Sequence, residues 1–164
     1  MTEGTGVTTD QRGGFDDLDG SAAHPSMVAY VEPVSRNECL NMLARTSVGR
    51  LGLVVQREPV IVPVKYGLDG DHILFRTPPA STLAGVTAAT VAFEIDHLDA
   101  SQRAGWSVLV RGWVEDITDA VDATSQRLRR LPVATWDPDG DRRWYVISPR
   151  AITGRRIRVI PADL

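Results

Sequence analysis

Two periods alternate along this chain. Ser35-Arg-Asn-Glu38 has the form of a capping box, with Val34 and Cys39 spaced as a hydrophobic staple. It opens a predicted helix that runs to about Arg45 and puts Cys39, Leu40 and Leu43 on one face. From Val48 the period falls to two. "VGRLGLVV" and "PVIVPVKY" flank Gln56-Arg57-Glu58 as a predicted hairpin, and Leu68-Asp69-Gly70-Asp71 reads as a second tight turn before the strand "HILFRT". Val91, Phe93 and Ile95 then alternate with Ala92, Glu94 and Asp96, and a long strand follows from Trp106 to Glu115. Asp119 to Leu131 returns to helical spacing through Val121, Leu128 and Leu131, and "RRWYVIS" and "GRRIRVI" read as two closing strands.

About six antiparallel strands joined mostly by short turns predict a closed or nearly closed barrel, with two helices and a third short one at Ser81-Thr82 outside it. Pro63 removes a ladder donor from the second strand, so it belongs at an edge or bulge. Residues 1–28 contain little to bury beyond Phe15 and Leu18, and are expected to be a disordered tail ahead of one domain, 29–164.

Composition changes this picture in three places. Residues 1–28 hold Glu3, Asp10, Asp16, Asp17 and Asp19 against Arg12 alone, so the tail carries −4 of an overall −3 charge and the rest of the chain is +1, near neutral. A near-neutral barrel with an acidic tail argues against general nucleic-acid binding. One cysteine and three scattered histidines exclude multi-cysteine and HExxH-type metal sites, so no metal is expected. No apolar run approaches the roughly 18–20 residues of a membrane span, and the polar first residues do not read as a signal peptide, so the expected setting is the cytoplasm.

Three constellations could carry chemistry. Arg76-Thr77-Pro-Pro-Ala-Ser81-Thr82 would place a guanidinium and hydroxyls at a helix N-terminus, a phosphate-binding arrangement or an ordinary N-cap. In "GWSVLVRGW", Trp106 and Trp113 are seven apart and face opposite sides of a strand, so at least one caps the barrel end, meets an interface or stacks on a planar ligand. Residues 142–158 carry Arg142, Arg143, Arg150, Arg155, Arg156 and Arg158 without an acid, which suits a solvated strand face or one anionic cofactor. No Ser-His-Asp, paired-carboxylate or Walker arrangement is present, so any reactive group would come from a cofactor.

The segments "SRNECLNMLARTSVGRLGLV", "PVIVPVKYGLDGDHILFRT", "VAFEID", "GWSVLVRGWVE" and "ITGRRI" stand in the order seen in the flavin-binding split-barrel family typified by pyridoxamine 5′-phosphate oxidase. Over about residues 30–160 the chain resembles the small actinobacterial-type branch of that family. The resemblance implies a six-stranded antiparallel Greek-key split barrel and a homodimer with FMN in the grooves between subunits. By position it implies that Val62, Pro63, Val64 and Lys65 run beside the flavin ring and that Arg76 and Thr77 contact the flavin. Ser81 and Thr82 fall in the phosphate loop, Trp106 covers the ring or interface, Ser107 contacts the flavin, and Arg155 and Arg156 lie near a C-terminal basic contact. The chain departs from the family pattern at Thr82, where a lysine or arginine is usual, and at Thr153, where the oxidase places an aromatic residue. A lost charged hydrogen bond is worth roughly 1.5–3 kcal/mol. The implied activity is flavin-dependent oxidation or reduction of a small molecule that the sequence does not name, with the Thr153 departure weighing against vitamin B6. A deazaflavin (F-420-type) reductase, a non-catalytic flavin or haem module, and a ligand-free dimeric protein are the alternatives.

Overall fold

Alternating burial turns the period-two segments into strands and fixes which face of each meets the core. The structure, a computed structural model, describes residues 27–161 except Gln102 and Asp141. In chain order its elements are β1 (Met27–Val34), α1 (Arg36–Arg45), β2 (Val48–Val55), β3 (Glu58–Asp69), β4 (His72–Thr77), β5 (Ala88–Asp99), β6 (Ala104–Asp116), α2 (Ala123–Leu128) and β7 (Arg143–Pro161). Strands β2 to β7 close into a six-stranded antiparallel barrel in the order β4-β3-β2-β5-β6-β7, with β7 returning to β4. The meander β2-β3-β4, with β5 lying back beside β2, is a Greek key. Leu51, Phe75, Phe93, Ile95, Val108, Val110 and Ile147 fill its interior.

The helix α1 begins as its capping box predicts. The Ser35 hydroxyl accepts from the Glu38 N–H at 3.3 Å, and Cys39 and Leu43 are buried. The Tyr66 hydroxyl donates to the Leu43 carbonyl at 2.7 Å, tying the last turn to β3. Burial, with the Glu38 charge adding to it, pushes the Cys39 thiol up, as suits a small core residue rather than a nucleophile.

Three expectations need correction. A strand was not expected before Ser35, yet Met27–Val34 pairs along β7, so Met27 and Val28 belong to β1 and not to the tail; residues 1–26 of the expected tail lie outside the described residues. The second helix is only Ala123–Leu128 with Asp122 as N-cap, and Val121, expected in the core, is 85% exposed. The two closing strands are one. Gly112 faces Pro149 and Arg111 faces Ala151, so Arg150 bulges out and β7 bends without breaking.

The β2–β3 hairpin turns on Gln56 and Arg57, with φ of 50° and 71°. This conformation matches strand twist but strains non-glycine residues by about 1–2 kcal/mol each. Replacing the pair with Asn-Gly is expected to raise unfolding free energy by about 1–2 kcal/mol in urea titration, with an unchanged m-value.

Candidate functional site

The barrel splits where β3 and β4 part. Tyr66 and Phe75 are their last paired residues, and from there back to Glu58 β3 is paired with β2 alone. Counting bonded pairs from Val55–Glu58 at the turn, Val60, Val62 and Val64 spend their backbone groups on β2. Pro59, Ile61 and Pro63 face the open side, so three carbonyls but only the Ile61 N–H are free along that edge. Pro63 thus sits at an edge, where its missing donor breaks no ladder. Ile61 is 74% exposed on the same face. Of the four residues expected beside a ring, Pro63 and Lys65 are on the outer face, whereas Val62 and Val64 turn their side chains to the core.

Each cation at this mouth lies on a tryptophan. The Arg76 guanidinium is 5.1 Å from the ring centre of Trp144, its cross-strand neighbour on β7. The Lys65 ammonium is 4.6 Å from that of Trp136, which is 60% exposed. Trp136 and Trp144 were not singled out for this place. Trp136 belongs to the connection into β7 and Trp144 to β7 itself, and only the fold brings them to β3 and β4.

Thr77 is buried, and its Oγ1 bonds the Ser81 Oγ at 3.1 Å. No helix follows Ser81. Residues 79–85 form successive turns in which the Ser81 N–H donates to the Pro78 carbonyl, the Ala84 N–H to the Ser81 carbonyl and the Leu83 N–H to the Ser81 hydroxyl. In place of the expected short helix, the Ser81 hydroxyl donates to Thr77 Oγ1 and accepts from the Leu83 N–H. Among the described residues the N–H and hydroxyl of Thr82 make no hydrogen bond, and the residue is exposed. Arg76 and the Thr82 donors could hold an anionic group, and the carbonyl-rich β3 edge could accept from a ligand N–H.

The remaining expected residues lie elsewhere. Ser107 and Arg155 are cross-strand partners on the outer face of β6 and β7, with Arg155 Nε donating to Ser107 Oγ at 3.1 Å. Together with Glu94, Leu109, Thr153 and Gly154 they line a groove of about 350 Å³. Trp106 and Arg156 point the other way, toward α1, where Arg156 pairs with Glu38 at 2.6 Å. Arg155 is on β7, the strand beside that of Arg76, but eleven residues beyond Trp144, which faces Arg76, roughly 36 Å of strand path at about 3.3 Å per residue. One chain therefore does not gather the two groups of residues around one point.

Beneath the mouth lies an ion pair between Arg143 and Asp116, whose side chain is nearly buried. Burial works against the Asp116 charge, but hydrogen bonds from the Thr118 hydroxyl and amide and from Arg143 outweigh it and hold the carboxyl below its ordinary value. A lowered pKa contributes stability that is complete above the unfolded value near 4 and lost as pH falls through the folded one. Acid titration of wild type is therefore expected to show a loss below about pH 4 that is smaller in Asp116→Asn. At pH 7 the variant should be less stable by about 2 kcal/mol, because Arg143 keeps some access to water.

Among the described residues no three His, Cys, Asp or Glu side chains group as metal ligands, and no helix is long and apolar enough to cross a membrane.

A sequence profile described as pyridoxamine 5′-phosphate oxidase matches residues 35–156. The chain belongs to that family. It is 28% identical over 141 residues to the uncharacterized protein Rv0080 of Mycobacterium tuberculosis, covering 82% of this chain and 91% of the relative. It is similar to the solved structure of a FAD-binding protein from Mycobacterium smegmatis, with 29% identity, a TM-score of 0.62, and coverage of 77% of this chain and 97% of that one. A conserved protein of Corynebacterium diphtheriae is comparable, with 28% identity, a TM-score of 0.62, and coverage of 76% and 96%. The six-stranded barrel of this chain is thus the pyridoxamine 5′-phosphate oxidase-like split barrel, extended by β1 along β7.

Proposed function

We propose that this member of the pyridoxamine 5′-phosphate oxidase family binds FMN as a homodimer and acts as a flavin-dependent oxidoreductase on a small molecule. The observation that carries this reading is the open β3 edge standing beside Arg76 and the unpartnered Thr82 donors, in a chain 29% identical to a FAD-binding protein. Arg76 and the Thr82 N–H and hydroxyl would hold the phosphate, with Ser81 and Thr77 shaping the loop beneath. The carbonyls of Pro59, Ile61 and Pro63 and the Ile61 N–H would orient the pyrimidine edge of the ring. Lys65 would place positive charge there, where reduction puts negative charge. When bound, the flavin supplies hydride transfer; the chain's own residues bind, orient and neutralise.

A second copy completes the site in this reading. The outer face of β6 and β7 that carries Ser107 and Arg155, with exposed Leu109 and Trp113, would cover the ring held by the partner. FAD is the second reading, supported by the description of the Mycobacterium smegmatis protein. The deazaflavin alternative drew on the basic stretch 142–158. There Arg143, Arg156 and Arg158 are each held by a carboxylate, which leaves Arg142, Arg150 and Arg155 to support it.

Titration of the purified protein with FMN, FAD and the deazaflavin, followed by absorbance and fluorescence, tests the proposal. Saturable FMN binding at one per chain, weakened by Arg76→Ala, is expected. A protein that quenches and shifts none of the three is not a flavoprotein.

A further inference from the structure

Tyr145 sits in β7 with 1% of its surface exposed, its ring stacked on Phe75 with centres 5.3 Å apart and planes 10° from parallel. Its hydroxyl donates to the Leu83 carbonyl at 3.1 Å. The Leu83 carbonyl also accepts from the Val86 N–H at 3.0 Å, and every other hydrogen bond among described residues 78–85 stays within that segment or reaches back to Thr77. Among the described residues, Tyr145 is thus the polar tie between this run of turns and a strand remote in sequence. Leu83, whose carbonyl it holds, directly follows Thr82, and the Leu83 side chain is itself buried in the core.

We propose that Tyr145 is the positioning residue of the anion-binding loop: by fixing the Leu83 peptide it aims the Thr82 N–H and hydroxyl at the bound phosphate. Thr82 has no positive charge, so its attraction for an anion depends on how well its two donors are oriented in advance. The Tyr145 hydroxyl on the Leu83 carbonyl, the Ser81 hydroxyl on the Leu83 N–H and the buried Leu83 side chain together restrain the backbone that follows Thr82. Tyr145→Phe keeps the ring and its stack on Phe75 but leaves the Leu83 carbonyl with only the local Val86 N–H, so that nothing polar ties the turn to β7. The identity of the anion as flavin phosphate rests on the proposed function; the anchoring of the loop does not.

Two measurements on the full chain at 10 °C test this. In the first, the dissociation constants of FMN and riboflavin, which share a ring and differ by the phosphate, are compared in wild type and Tyr145→Phe. FMN affinity is expected to fall about tenfold, the size of one buried hydrogen bond, while riboflavin affinity changes less than about twofold. In the second, amide hydrogen exchange of the ligand-free proteins is compared, and residues 82–86 are expected to exchange faster in the variant while Phe75 does not. Equal loss for FMN and riboflavin, or unchanged exchange at 82–86, overturns the assignment. If wild type binds neither flavin, the flavin reading fails by itself. Exchange at 82–86 and competition by inorganic phosphate then decide the role of Tyr145, unchanged exchange refuting it.

Discussion

Thr82→Lys is expected to tighten FMN binding by about ten- to a hundredfold. Thr82 is exposed, in the loop that follows β4, the strand that carries Arg76. A charged hydrogen bond is worth roughly 1.5–3 kcal/mol, and each 1.4 kcal/mol is tenfold in affinity. The gain should be confined to the phosphate, so riboflavin affinity should not change, and it should shrink as salt screens the new charge. Thr82→Met, similar in length and uncharged, should give no gain. Isothermal titration with both ligands at low and high salt checks all three statements. An equal gain for riboflavin would show that residue 82 does not face the phosphate.

Gly49→Ala is expected to destabilise the fold by about 3 kcal/mol, at the upper end of what overpacking usually does. A Cβ on Gly49 would stand 2.1 Å from Cζ of Phe93 and under 3.0 Å from both of its Cε atoms. The ring cannot retreat easily. Phe93 is fully buried and meets Tyr66 edge-on, with centres 5.0 Å apart, and Tyr66 is held in turn by its hydrogen bond to Leu43. The new methyl must therefore displace a chain of contacts reaching from β5 through β3 to α1. For a domain of this size the loss corresponds to a melting temperature lower by roughly 10 °C. Gly52→Ala, on the same strand, would meet only Ala92 at 3.6 and 3.9 Å and should change stability little. Adding Phe93→Leu to Gly49→Ala should restore part of the loss, because neighbouring volumes are not additive.

The barrel was legible because most of its strands are buried on one face only. Val91-Phe93-Ile95 and Val108-Val110 show the alternation plainly, and the turns at Gln56-Arg57 and Gly70 punctuate it. The strand β1 left no such trace. Its described side chains are nearly all exposed, so it is held by its ladder with β7 rather than by an apolar stripe. Proline caused the opposite error in β7, where Pro149 next to a bulge resembles a turn. Val121 misled for a third reason: helical spacing says which residues would share a face if a helix formed, and here Asp122 caps one only afterwards.

The site divides along the same line. Arg76, Thr77, Ser81 and Thr82 could be found because their contacts are local. The edge position of Pro63 followed from its missing N–H. Which of Val62 to Lys65 face outward followed only from the register with β2. Trp136, Trp144 and Tyr145 could not be found that way, because their contacts join residues far apart in the chain, 62 positions in the case of Tyr145 and Leu83. The separation of Ser107 and Arg155 from Arg76 is equally hidden without the register of β7 against β4 and β6.

That separation makes the central claim testable in one measurement. If each flavin is held by Arg76 of one chain and covered by Arg155 of the other, Arg76→Ala and Arg155→Ala homodimers should both bind FMN poorly. After equal amounts are mixed and allowed to exchange subunits, mixed dimers should each regain one intact site, restoring about a quarter of the wild-type binding capacity. A mixture that binds no more FMN than either variant alone would contradict a site shared between two chains.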